Sequence, residues 1–103
     1  MDPFKVSVVG ERRNVVRVEG ELDIAGVPRL TSVLARLDGD IELECSALDF
    51  IDAAGVGAFV RAHHACAARG DKLVLVEPSR SVLRVLSLVG LDASLTIRRH
   101  HES

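Results

Sequence analysis

Tryptophan and tyrosine are absent from this chain, and three phenylalanines are its only aromatic residues. Single-stranded nucleic acid is held on aromatic stacking platforms in basic grooves, and this composition supplies neither. The formal net charge is −2, with both signs mixed along the chain, so nothing draws it to nucleic acid or to an anionic membrane. No apolar run approaches the roughly 18 residues that a membrane span requires. The N-terminal Met1-Asp2-Pro3-Phe4-Lys5 lacks the basic and apolar regions of a signal peptide, so a cytoplasmic location is expected. Cys45 and Cys66 do not form a CxxC pair and are expected to be buried, reduced thiols. Zinc-ligand spacing, a Gly-rich phosphate loop and a catalytic-triad pattern are all missing, so neither an enzyme nor a cofactor is expected.

What is present suits one small domain. The chain has 103 residues, 48% of them apolar, enough for a core without disulfides or metal. Its organising stretch is Leu48-Asp49-Phe50-Ile51-Asp52-Ala53-Ala54-Gly55-Val56-Gly57. An apolar run ends in a carboxylate, two alanines and two glycines follow, and a helix begins. Small residues at a strand-to-helix turn let a backbone or an anion approach closely, which marks this junction as a candidate site.

The remaining elements follow in order. Phe4 to Val9 alternates as a strand, and Val15, Val16 and Val18 belong to a second. The short turn between them implies an antiparallel hairpin. Pro28 opens a helix whose apolar positions are Val27, Leu30, Val33, Leu34 and Leu37, with Gly39 available as its C-terminal cap. Ile41 to Cys45 alternates as a strand, reached by a parallel crossover. After the junction, Val56, Phe59, Val60, His63 and Ala67 share a helix face, and Gly70 ends that helix. Lys72 to Val76 reads as a buried strand. Ser79 caps a helix with a stripe of Val82, Leu83, Leu86 and Val89, stopped at Gly90. Leu95-Thr96-Ile97 is a short final strand. A frayed tail is expected from about residue 98, its two histidines, His100 and His101, solvated and not metal-bound.

This order, with three motifs, resembles the STAS domain, the fold of the bacterial anti-sigma factor antagonists. The motifs are Gly20-Glu21-Leu22-Asp23, the junction from Asp49 to Gly57, and Gly70 to Val76 continuing through Val82-Leu83-Arg84-Val85-Leu86 to Gly90-Leu91. The resemblance covers nearly the whole chain, taken as one domain over 1–103. It implies an α/β fold: a mixed four- to five-stranded sheet with three to four helices packed against it.

The resemblance also implies a mechanism and a partner. In the family, an anti-sigma factor that is also a GHKL-type serine kinase holds a sigma factor inactive. The unmodified STAS protein binds that kinase and frees sigma. Phosphorylation of a Ser or Thr directly before the junction glycine ends the complex, since a phosphate adds about −1.5 to −2 charge within the interface. Here that position is Ala54, preceded by Ala53, and neither has a hydroxyl. Ser46, the nearest upstream, stands too early in the loop and reads as a turn residue. Ala54 is open to three accounts: an unswitched antagonist, an engineered change, or a branch of the family that does without the kinase.

The expected partner-binding residues are Asp23, Asp52, Ala53, Ala54, Gly55, Val56 and Gly57, extended along the exposed face of the second helix. Asp52 and Asp23 are also natural helix-start residues. A side chain at Gly55 is expected to crowd the partner, so that Gly55→Val abolishes binding and leaves the sheet folded. The alternatives to an anti-sigma partner are docking on the ATPase of a lipid-transport ABC system, a place in a stress-sensing assembly, or a nucleotide or lipid-headgroup sensor.

Overall fold

β-Branched and apolar residues at every second position build the sheet, and the turn chemistry between them decides its order. In the computed structural model, which describes residues 4–10 and 13–99, β1 (Phe4–Val8) and β2 (Asn14–Leu22) form the antiparallel hairpin, with Phe4 opposite Gly20 and Val8 opposite Val16. Helix α1 (Val27–Leu34) carries the chain back over the sheet to β3 (Ile41–Glu44), which pairs parallel with the first half of β2. Strand β4 (Leu48–Ile51) then pairs parallel with the second half of β2. Helix α2 (Ala53–Ala68) leads to β5 (Leu73–Val76), parallel to β3, and α3 (Arg80–Leu88) to β6 (Thr96–Arg98), parallel to β5. The strands run β1-β2-β3-β5-β6, with β4 beside the end of β2.

One core cluster joins the inward side chains Val16, Val18, Leu22, Leu43 and Leu75 to Leu30 and Leu34 of α1, Phe59 and Cys66 of α2, and Val82 and Leu86 of α3. The outward face of the central strands carries Arg17, Glu19, Glu42 and Glu44, with Val15 and Val74 on either side of Glu42. Glu42 receives two guanidinium groups there, Arg98 at 2.9 Å and Arg13 at 3.4 Å. Both thiols are free and buried. Burial, and secondarily the charge of Glu44, pushes the Cys45 thiol up from 9.0 to about 12.

Several expectations hold at the residue level. Pro28 lies in the first turn of α1, Gly70 adopts φ +82° just past α2, and Ser79 Oγ accepts the Val82 amide at 3.3 Å. Ser79 also donates to the Leu48 carbonyl at 2.7 Å, tying the start of α3 to β4.

Others are corrected. Among the described residues the sheet has six strands, not four to five, because the apolar run of the junction is itself a strand. Helix α1 ends at Leu34 with Ala35 as its cap, so Gly39 (φ +85°) is not a helix cap. It belongs to a separate turn, where the Asn14 side chain donates to the carbonyls of Asp38 and Asp40. On α2, Cys66 is buried and Ala67 exposed, one position away from the face expected. Val89 lies past the end of α3 and is 55% exposed, outside the buried stripe. Arg98 is not frayed, since it pairs within β6 and with Glu42. The tail histidines lie outside the described residues.

Two outcomes are expected. Ser79→Ala removes an N-cap and the donor to Leu48, and should cost about 1–2 kcal/mol in urea unfolding. Between pH 9 and about 12 the folded chain keeps the Cys45 proton that the unfolded chain releases. Stability must therefore fall as pH rises through that window. The fall measured by urea midpoints should be smaller in Cys45→Ala.

Candidate functional site

The parallel pairing of β2 and β4 sets Leu22 opposite Ile51, so the residues that follow, Asp23 and Asp52, stand at adjacent strand ends. The Asp52 amide donates to the Leu22 carbonyl at 3.2 Å and locks the two together. Each carboxylate then takes a local amide. Asp23 Oδ1 accepts from Ala25 at 3.0 Å, and Asp52 Oδ1 accepts from Gly55 at 3.1 Å. Asp52, in extended conformation with φ −108° and ψ −173°, is the N-cap of α2. The Asp23 carbonyl accepts the amides of Gly26 and Val27, turning the chain into α1. The structure thus gives Asp52 the helix-capping role read from the sequence, whereas α1 starts at Gly26 without a side-chain cap and Asp23 acts in the turn before it; the two aspartates stand at one edge.

The small residues divide into two sets. Ala53 is exposed, and Ala54 and Gly57 are half-buried. Gly55 and Val56 are buried. A Cβ on Gly55 would stand 2.6 Å from Ile51 Cγ1, 2.8 Å from the Leu22 carbonyl oxygen and 2.9 Å from Leu22 Cγ. The bare backbone at Gly55 therefore serves the approach of α2 to β2 and β4. This overturns the expectation that Gly55→Val spares the fold. Gly57 differs, because a Cβ there would meet only the Arg61 guanidinium, at 3.1 Å, the far end of a flexible side chain.

Two apolar side chains flank the aspartates and were not singled out from the sequence. Ile24 is 76% exposed and Phe50 is 47% exposed. Phe50 sits in what reads as a continuous apolar run. A register shift between Gly20 and Glu21 leaves Asp49 without a partner and sets Phe50 opposite Glu21, on the outward face. Only the pairing reveals that. Ile24 had a visible signal: a large aliphatic residue between Asp23 and Ala25, outside any strand or helix period.

Ser46 is exposed in the turn between β3 and β4 and donates to Glu44 at 2.8 Å. Histidines 63 and 64 lie on α2, the first half-buried and the second exposed, with ring centroids 5.6 Å apart. No group of three or more His, Cys, Asp or Glu among the described residues is placed to hold a metal ion. No described helix is long and apolar enough to cross a membrane. The arrangement offers a contact surface: two half-buried carboxylates, a small-residue helix start and two exposed apolar side chains.

The STAS domain family model matches residues 5–103. Among solved structures, the anti-sigma factor antagonist SpoIIAA in its unphosphorylated form is 24% identical, with a TM-score of 0.74 over 96% of this chain and 89% of that one. A Thermotoga maritima protein described as a candidate anti-sigma factor antagonist is 27% identical, with a TM-score of 0.75 over 95% and 87%. The Bacillus cell fate determinant SpoIIAA in its phosphorylated form is 23% identical, with a TM-score of 0.72 over 96% and 92%. No curated protein sequence matches this chain significantly.

The expected outcome at the junction is a folding defect. Gly55→Val forces atoms into Leu22, which is fully buried, and into Ile51. Overpacking of this kind costs about 1–3 kcal/mol or more. Urea unfolding should show a lowered midpoint, whereas Gly57→Ala should stay within about 1 kcal/mol of the parent, the usual helix preference favouring alanine. A Gly55→Val protein of parental stability would sink this assignment.

Proposed function

We propose, for a chain that belongs to the STAS domain family, that it acts as an anti-sigma factor antagonist: it binds an anti-sigma factor of the GHKL serine-kinase type and so frees a sigma factor. The observation that carries this reading is the pairing of Asp23 and Asp52 at adjacent strand ends, flanked by exposed Ile24 and Phe50. Apolar anchors beside half-buried polar groups are the composition of a protein interface. Support also comes from the similar solved structures, described as anti-sigma factor antagonists.

Within this reading the contact residues are Asp23, Ile24, Phe50, Asp52, Ala53, Ala54 and Gly57. Gly55 and Val56 act from beneath, by holding the start of α2 against Leu22 and Ile51. Ala54 offers no oxygen to accept a phosphoryl group, so the complex does not switch at that position. The protein works by contact and not by catalysis.

Affinity capture from the source cells, read by mass spectrometry, tests the partner. A GHKL-type anti-sigma kinase is expected, in a complex that survives ATP. Ala54→Ser restores a hydroxyl, and with ATP and the kinase that variant should gain a phosphate and leave the complex. Recovery of a transporter ATPase without an anti-sigma factor would overturn the reading. So would loss of the parental complex on addition of ATP, with a phosphate found on this chain.

A further inference from the structure

Away from the junction, α1 and α2 part to leave a cleft of about 240 Å3. Its apolar surface comes from Leu34 of α1, Ile41 at the start of β3, and Ala58, Ala62 and Ala65 of α2. Alanines on α2 are too short to fill the space against α1, and the void forfeits packing contacts that a bound apolar group would restore. The cleft opens to solvent, and an apolar group entering it removes apolar surface from water.

Two guanidinium groups line the same cleft, and they differ. Arg69 is spent: its Nε donates to Asp71 at 3.0 Å and its Nη2 to the Gly39 carbonyl at 3.2 Å. Arg61 has no hydrogen bond or ion pair with any described residue, and its Nη1 lies back over Gly57. The Thr31 hydroxyl, on the facing helix, also lines the cleft and has no hydrogen-bond partner among the described residues. An apolar slot with one uncommitted cation and one uncommitted hydroxyl fits an anion with an apolar body. The volume falls below the roughly 300 Å3 at which drug-sized pockets begin, so a short ligand suits it.

We propose that the α1–α2 cleft binds a short straight-chain carboxylate, its alkyl chain against Ala58, Ala62 and Ala65 and its carboxylate on Arg61. This site borders the partner surface where Arg61 lies over Gly57, and octanoate binding there does not rest on the identity of the partner.

Sodium octanoate, kept below micelle formation, is the probe. Titration into the 15N-labelled protein should give saturable shifts at the amides of Thr31, Ala62 and Ala65. Arg61→Gln, a change at an exposed side chain, should weaken octanoate about three- to fivefold, the upper range for a solvent-exposed ion pair. The same change should leave the affinity for 1-octanol within about twofold, since that ligand carries no charge. Ala65→Leu, placed to fill the slot, should abolish octanoate binding while preserving the dispersed spectrum. Absence of saturable shifts in the cleft would overturn the proposal. Octanoate affinity unaltered by Arg61→Gln would overturn it as well.

Discussion

The closeness of α2 to the end of β2 is the constraint on which the rest of the site depends. Asp52 donates its amide to the Leu22 carbonyl, and one helical turn later Gly55 passes so near Leu22 that a single methyl group would meet that same oxygen. Leu22 cannot yield, because it is fully buried under α1 and α2 in the one core cluster. Glycine is thus demanded by packing at close range, although its φ is not in the left-handed region. From this contact follow the parallel seating of β4 on β2, the adjacency of Asp23 and Asp52, and the direction in which α2 leaves the sheet.

That geometry sorts a stretch of ten residues into an inner and an outer set. Ile51, Gly55 and Val56 face the core, while Phe50, Ala53 and Ala54 face outward to differing degrees. The bulge at Asp49 makes this possible, because without the extra residue Phe50 would share the face of Leu48. Exposed Phe50 and Ile24 have no packing role that accounts for them, and scattered large apolar groups gain meaning only when they gather at one edge. Here they bracket two carboxylates whose Oδ1 atoms are held by backbone amides. Each aspartate therefore presents a fixed oxygen pair, and fixed groups lose little entropy when a partner binds.

How much of this could be read from the sequence depended on whether local chemistry or distant contact set each feature. The hairpin, the Pro28 helix start, the Ser79 cap and the glycine stops at Gly70 and Gly90 were legible, because each is decided within a few residues of itself. The Asp52 cap was legible for the same reason, and the fold class from the order of the elements with the three motifs. Strand β4 was not counted, since four residues with a bulge carry no alternation. Val89 fits the helical period but lies past the end of α3, and periodicity does not mark where a helix stops. Gly39 looked like a cap because it follows a helix, whereas Asn14, from another strand, holds its turn. Arg98 looked like tail because its partner, Glu42, is distant in sequence. Gly55 was noticed for the right property and given the wrong cause: bareness serves an internal contact as well as an external one.

Position 54 takes no part in the hydrogen bonds and the close contact that hold the start of α2. The first turn of α2 is capped by the Asp52 carboxylate, which satisfies the Gly55 amide without help from the side chain at 54. The close contact with Leu22 is made by Gly55 and the crossing hydrogen bond by the Asp52 backbone. Residue 54 is half-buried. A serine there adds one oxygen at the helix N-terminus, where amides and the helix dipole favour an anion. An alanine adds nothing and disturbs nothing. The cap and the close contact that seat α2 are thus made by Asp52 and Gly55, on either side of residue 54.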